Sequence, residues 1–312
     1  MGDKTENSST EAMSTKDWLS TVLYTSNKDE SKFVATWALQ RIGTRKPVKE
    51  YLHSIWDYRA FILFQSQARA FATARNSSLG RVWLILEPFL SAGVYYVIFG
   101  LLLQTSRGVE NFVAYLVVGV SFFAFMQKSL SRSGTLIRQN ANIIRSFAFP
   151  RATLIVSDIV MRAIDTLPLI CATLIFIVAM PPHAIPTWTW ILVIPIHLLM
   201  LCFSMGLMFV ITKLTVLVKD LRHIWPLLSR FWFYSSGVFF SIDRFATQYT
   251  VLLIMNYNPA YVVLTMYRQV LIYGTVPDMW HWLYFSCWAL TLMCLGFIFF
   301  WSSEERYGQR NI

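Results

Sequence analysis

The chain reads as an all-α polytopic membrane protein: six transmembrane helices, an amphipathic interface helix ahead of the first, and two short re-entrant helices before the last. Three observations carry that reading. Of 312 residues, 55% are hydrophobic, 14% charged and 16% aromatic, too apolar for one water-soluble core. Apolar windows with the length of about 20 helical residues that a bilayer crossing needs fall at 83–103, 112–130, 159–180, 188–214, 224–242 and 280–301. The basic residues, finally, alternate between connections. Arg59, Arg69, Arg75 and Arg81 precede the first window, and Lys128, Arg132, Arg138, Arg145 and Arg151 occupy the 127–151 connection. The stretch 104–111 holds only Arg107, and "PPHAIPT" at 181–187 holds none.

By the positive-inside rule the amino terminus, the 127–151 connection and "LVKDLRH" at 217–223 are cytoplasmic. The net charge of +10 is therefore a topology signal, not the footprint of a nucleic-acid partner. Parity puts the charge-balanced tail "SSEERYGQRNI" on the cytoplasmic side as well.

Residues 1–50 form a polar extension that opens "MGDKTENSSTEAMSTKD", with too few apolar groups to offset ordering entropy. No apolar block with a small-residue cleavage site follows it, so the first crossing itself is expected to direct insertion. Residues 51–82 form the interface segment. Phe61, Phe64, Ala68 and Phe71 recur at helical spacing opposite Arg59, Ser66, Arg69 and Thr73, the pattern of a helix lying along the cytoplasmic surface. Residues 83–312 then make the membrane domain. Within it the run at 249–273 is apolar enough to suggest a seventh crossing, but Asn256, Asn258, Pro259 and Arg268 interrupt it. Polar backbone at membrane depth needs protein or a cavity beside it, so two re-entrant helices on the outer side are expected, with Asn258, Pro259 and Arg268 as their gate.

Catalytic chemistry is not indicated. No lysine follows a glycine, so the G-x-x-x-x-G-K-[ST] phosphate loop is excluded and the energy for any transport comes from another chain. The five histidines and four cysteines lack metal-ligand spacing. Asp and Glu total 17, eight of them before residue 60, a poor supply for a membrane-embedded glycosyltransferase.

Three groups of residues do point to a function. On the fifth window Trp225, Ser229, Trp232, Ser236 and Phe239 share one helical face of aromatic rings and hydroxyls, which suits a sugar chain. Tyr96 with Phe89 and Phe99, and Phe122 with Tyr115 and Phe125, offer further rings on the first two windows. Helix packing explains such stripes equally well. Glu87 and Arg230 are costly in hydrocarbon and should face protein, while Asp158, Arg162 and Asp165 are spaced for a local ion-pair ladder. Arg75 and Arg81 flank Ser77-Ser78-Leu79-Gly80 at the cytoplasmic entrance, where a lipid pyrophosphate would be attracted or where topology alone would put charge.

The runs "ARNSSLGRVWLILEPFLSAGVYYVIFG" (74–100), "NIIRSFAFPRA" (142–152), "VKDLRHI" (218–224) and "NPAYVVLTMYRQVL" (258–271) together resemble the permease subunit of ATP-binding-cassette polysaccharide exporters, over about residues 52 to 305. That family exports lipid-linked O antigen, teichoic acid, capsule and galactan precursors. The usual Arg-Asp ahead of the Ser-Leu-Gly is replaced here by Gln67-Ala68-Arg69-Ala70. The resemblance implies a homodimer in a bacterial inner membrane, with both termini cytoplasmic and two copies of a separate ATPase subunit that hold ATP and Mg. It also implies that the segment between the second and third crossings is a coupling helix. Ile143, Ile144, Phe147 and Phe149 would fill a groove on the ATPase, with Arg138 and Arg145 at its acidic rims, Asn140 in the same coupling segment and Pro150 as the stop. A drug or simple-lipid exporter would share these helices and the coupling segment.

Overall fold

The structure, a computed structural model, describes residues 47–75, 80, 82–103, 109, 111–147, 149–181, 185–240, 249–304 and 307. Every regular element among them is helical. Most of the polar extension 1–50 therefore lies outside the described residues, as do Arg81 and the side chain of Arg75.

The interface segment is two helices, α1 (Val48–Asp57) and α2 (Arg59–Arg75), with a break at Tyr58. Then come α3 (Val82–Tyr95), whose last turns widen to π geometry over Tyr96–Leu102, and α4 (Phe112–Ser133). Asn111 caps α4, its side-chain oxygen accepting from the Ala114 amide at 3.1 Å. Two short helices, α5 (Leu136–Gln139) and α6 (Ala141–Ser146), lead to α7 (Ala152–Ala179). A 3₁₀ turn at Trp188–Leu192 opens α8 (Val193–Leu217). The remaining helices are α9 (Leu221–Ser235), α10 (Tyr249–Asn256), α11 (Pro259–Leu271) and α12 (Met279–Trp301).

Among the described residues five helical stretches are long and apolar enough to cross a membrane: Val82–Leu102, Phe112–Ser133, Ala152–Ala179, Trp188–Leu217 and Met279–Trp301. The window at 224–242 forms a shorter helix. α9 has 15 residues, a rise of about 22 Å against a hydrocarbon core of about 30 Å. It ends where Gly237 takes a positive φ of 59° and the chain turns through 236–240. The interrupted run at 249–273 does form two short helices, α10 and α11, ahead of α12.

α4 is the central helix, buried along most of its length against α8, α9 and α11. α8 and α12 form the closest helix pair. A Cβ on Gly206 would stand 2.5 Å from the Leu292 carbonyl carbon, and one on Gly296 would stand 2.7 Å from the Gly206 oxygen, so only glycine allows this approach. A second core lies where Tyr51, Ile137, Ile144, Phe149, Phe209 and Phe300 meet.

α2 is oriented by its polar residues. Ile62, Gln65, Ser66 and Ala70 are buried while Leu63 and Phe64 are exposed. The Ser66 hydroxyl sits 2.8 Å from the Ser157 carbonyl of α7, and Arg69 donates to the Asn140 side chain. Phe64 and Ala68 are thus turned outward and Ser66 inward, the arrangement that suits a helix whose outer surroundings are lipid.

Candidate functional site

The knob between α4 and α7 is built from two short helices because Asn140 ends one and begins the next. Its side-chain amide donates to the Leu136 carbonyl at 2.7 Å while its oxygen accepts from Arg69. Leu136, Ile137 and Ile144 anchor the knob to the second core. Of the residues expected to dock an ATPase, Phe147, Arg138 and Arg145 are exposed and Ile143 is half-buried. Asn140, Ile144, Phe149 and Pro150 are buried within the chain, and the Phe149 ring lies 5.8 Å from Phe61 and 6.3 Å from Tyr58. Phe147, 68% exposed, is the phenylalanine presented outward. Phe147 lies past the end of α6 in extended backbone, whereas Phe149, just ahead of α7, is held by the Tyr58 and Phe61 rings.

Immediately after the knob a polar latch ties three segments together. Tyr51 of α1 donates to Glu304 at 2.8 Å, the Arg151 amide donates to the same carboxylate at 2.9 Å and its guanidinium at 3.2 Å, and the Ala152 amide donates to the Tyr51 oxygen at 3.2 Å. Burial pushes the Glu304 carboxyl above the ordinary carboxylate value, partly offset by the Arg151 amide and guanidinium and the Tyr51 hydroxyl. Burial and the Glu304 charge push the Tyr51 phenol well up, so it remains a donor. Sequence reading passed over this latch because "SSEERYGQRNI" looks like a charge-balanced tail; its apolar neighbour Tyr307, buried and stacked 4.5 Å from Phe300, was the available signal.

The aromatic and hydroxyl stripe of α9 points into the chain. Trp225 donates to the Thr215 hydroxyl at 2.8 Å and Trp232 to the Asn258 oxygen at 3.0 Å. Ser229, Ser236 and Phe239 are buried, Phe239 being stacked 4.5 Å from Phe99. Tyr96 is half-buried beside Phe112 at 6.5 Å, and Phe122 is stacked 3.7 Å from Tyr267. These positions pack the interior of the chain, and the side of α9 left exposed carries Ile224, Leu227, Phe231 and Tyr234.

Asn258 and Pro259 join that interior stripe to the α10–α11 pair. The Asn258 oxygen accepts from the Trp232 indole and from the Ala260 amide at 3.0 Å each, capping α11, while its amide donates to the Ser235 carbonyl at 3.2 Å and the Ser236 hydroxyl at 3.1 Å. Pro259 takes the first helical position, where its missing N–H costs nothing. Arg268, fully enclosed, lies 3.4 Å over the Tyr115 ring and donates to the Gly237 and Val238 carbonyls at 3.0 and 3.1 Å. Tyr115 donates to the Phe240 carbonyl at 2.8 Å. One arginine and one tyrosine therefore fix the turn after α9 against α11 and α4.

The ladder expected on α7 extends to α4: Asp158, fully buried, takes Arg162 at 2.7 Å and Arg132 at 3.3 Å. Glu87 of α3 pairs with Lys128 of α4 at 2.7 Å. Lys128 and Arg132 are thus part of a membrane-length helix, not of a loop. Buried Lys213 caps the end of α12, donating to the Phe299 carbonyl at 2.7 Å and the Ser302 hydroxyl at 2.6 Å. Among the described residues no three His, Cys, Asp or Glu side chains cluster as metal ligands.

The ABC-2 type transporter family matches residues 60–272, from α2 to just past α11. The chain belongs to that family. It is similar to the O-antigen export system permease protein RfbA of Myxococcus xanthus, 23% identical over 227 residues that cover 73% of this chain and 86% of the relative. It is also similar to two RfbA permeases of Klebsiella pneumoniae, 25% and 26% identical over 205 residues, covering 65% of this chain and 76% of each relative. The matched span takes in α2 from residue 60, the knob, the α9 turn and the Asn258 junction, whereas α12 and the Glu304 end of the latch lie beyond it. This family member is a multi-pass membrane permease of the ABC type.

Proposed function

We propose that the chain is the membrane permease of an ABC exporter that carries a lipid-linked polysaccharide outward across a bacterial inner membrane. It acts as a homodimer driven by two copies of a separate ATPase subunit, which hold the ATP and Mg. The observation that carries the proposal is the similarity to O-antigen export permeases over about three quarters of the chain. Both termini and the knob lie on the cytoplasmic side in this reading. Phe147 is the apolar anchor in the ATPase groove, Arg138 and Arg145 meet its acidic rim, and the latch through Arg151, Tyr51 and Glu304 passes the knob's displacement to α1 and α12. Arg75 and Arg81 attract the lipid-linked anion at the entrance, and the α10–α11 pair with Asn258, Pro259 and Arg268 gates the outer side.

The test uses inside-out vesicles that carry the chain with its ATPase subunit. ATP-dependent uptake of a diphosphate-linked oligosaccharide is expected, and Phe147→Asp abolishes both uptake and co-purification of the ATPase by placing a charge in an apolar contact. A wild-type chain that transports without any ATP-hydrolysing partner would overturn the proposal.

A further inference from the structure

The flank of the chain formed by α3, α4 and α9 carries charge where a lipid-facing surface could not. Glu87, Ser91 and Tyr95 recur once per turn on α3 and so share a face. Together with Gln127 and Lys128 of α4 and Arg230 of α9 they line a cavity of about 280 Å³. A second cavity of about 600 Å³ shares Glu87, Gln127 and Lys128 with the first and continues past Arg132 and Thr135 to Arg162. The two form one furrow. The Glu87 and Lys128 side chains are 58% and 42% exposed in the single chain, although both lie within membrane-length helices. Arg230 is exposed as well, about 14 Å along α9 from Leu221 by helical rise. Charges at such depth face water or protein, not hydrocarbon. The exposed sides of α7 and α8 show the contrast, presenting Leu167, Ile175, Ile194 and Leu198.

The charge in the furrow does not balance. Lys128 is offset by Glu87, and Arg132 and Arg162 share the single Asp158 carboxylate. Arg230 has no carboxylate within ion-pair reach among the described residues, while Asp165 lines an adjoining recess together with Lys128 and Arg162. Four cations, Lys128, Arg132, Arg162 and Arg230, thus stand against three carboxylates, Glu87, Asp158 and Asp165, along the furrow and its adjoining recess. Arginines and lysine that converge from three helices offer the forked and point-charge donors that phosphate oxygens accept. Tyr95 and Tyr234 flank the Arg230 end, placing aromatic faces where a sugar attached to that phosphate would lie.

We propose that this furrow binds the diphosphate joining the glycan to its lipid, with Arg230 and Lys128 as the principal ligands and Arg132 and Arg162 as the approach from the cytoplasmic side. The proposal rests on the export reading above and names the part of the substrate that this flank holds. The ligand's lipid anchor stays in the bilayer beside the furrow while the charged group and first sugars travel along it.

The experiment measures equilibrium binding to the full chain in phosphatidylcholine nanodiscs, with three probes: undecaprenyl diphosphate, inorganic diphosphate and phosphatidylglycerol. Undecaprenyl diphosphate is expected to bind the tightest by about tenfold or more, with Arg230→Gln weakening it about tenfold and Arg230→Lys largely restoring it, since a charge-assisted bond to phosphate is at stake. Glu87→Gln, which removes a carboxylate and frees Lys128, is expected to tighten binding, an outcome that misfolding cannot mimic. Undecaprenyl diphosphate binding that Arg230→Gln leaves within twofold overturns the proposal. Equal affinity for inorganic diphosphate would make the furrow a free-anion site, and equal affinity for phosphatidylglycerol a general lipid site; either overturns it too. Vesicle uptake separates this proposal from the export reading. Normal uptake with binding indifferent to Arg230→Gln sinks the furrow alone, whereas furrow binding without wild-type uptake sinks the export reading alone.

Discussion

Asn258→Ala removes a side chain that serves four partners at the junction of α9 and α11. Its oxygen caps α11 at the Ala260 amide and accepts the Trp232 indole, and its amide reaches Ser235 and Ser236. Loss of the cap costs about 1 kcal/mol, and a Trp232 N–H left without a partner in a half-buried site costs about 1–3 kcal/mol. The expected loss is therefore about 2–4 kcal/mol. Trp232→Phe alone removes one bond yet keeps the ring contacts with Phe123 and Phe203, whose centroids lie 5.5 and 6.2 Å away, so it is expected to cost about 1 kcal/mol. In the double variant the unpartnered indole no longer exists. The two changes should then cost less together than their sum by about 1 kcal/mol. Reversible denaturation in mixed micelles across the four proteins measures that coupling. Additivity within about 0.3 kcal/mol would refute the junction and return Trp232 to the role of a free surface for sugar.

The two phenylalanines of the knob should separate by the same assay: Phe149→Ala costs about 3 kcal/mol as a buried large-to-small change, while Phe147→Ala stays within about 0.5 kcal/mol and instead weakens ATPase co-purification. Equal stability losses would refute the assignment of Phe147 as the outward ring. Gly206→Ala should force α8 and α12 apart and cost about 1–3 kcal/mol by overpacking, whereas Gly93→Ala, with nothing within 4 Å of the added carbon, should be harmless or slightly stabilising; thermal midpoints of the two variants decide it. Because burial raises the Glu304 carboxyl, the folded state holds its proton at a pH where the unfolded chain has lost it. Stability should be greatest below the ordinary carboxylate value and fall as pH rises from there through the raised value. Glu304→Gln should flatten that slope, and identical pH profiles for variant and wild type would count against the latch as the titrating element.

What this sequence determined by itself is its set of helices. A segment in lipid must satisfy its own backbone, so the apolar windows became helices, and the interruption at Asn258-Pro259 became a place where one helix stops and the next begins. Asn258-Pro259 could be read as a helix start because capping is local chemistry. Five of the six apolar windows were legible as membrane-length helices for the same reason. Which face of each helix turns inward was not legible, because that depends on what surrounds it. In water an apolar stripe marks the core, but in a bilayer both the core and the surroundings are apolar, and the hydrophobic period loses its sense of direction. So α2 turns Ser66 and Arg69 to the protein and Phe64 outward, and α9 turns its Trp232 and Ser236 stripe into the chain while Phe231 and Tyr234 face out. Polar partners far apart in sequence made those choices: Ser66 with Ser157, Trp232 with Asn258, Tyr51 with Glu304 across 253 positions. The charged furrow arose likewise, since Glu87, Lys128 and Arg230 lie on three different helices and become neighbours only when α3, α4 and α9 pack together.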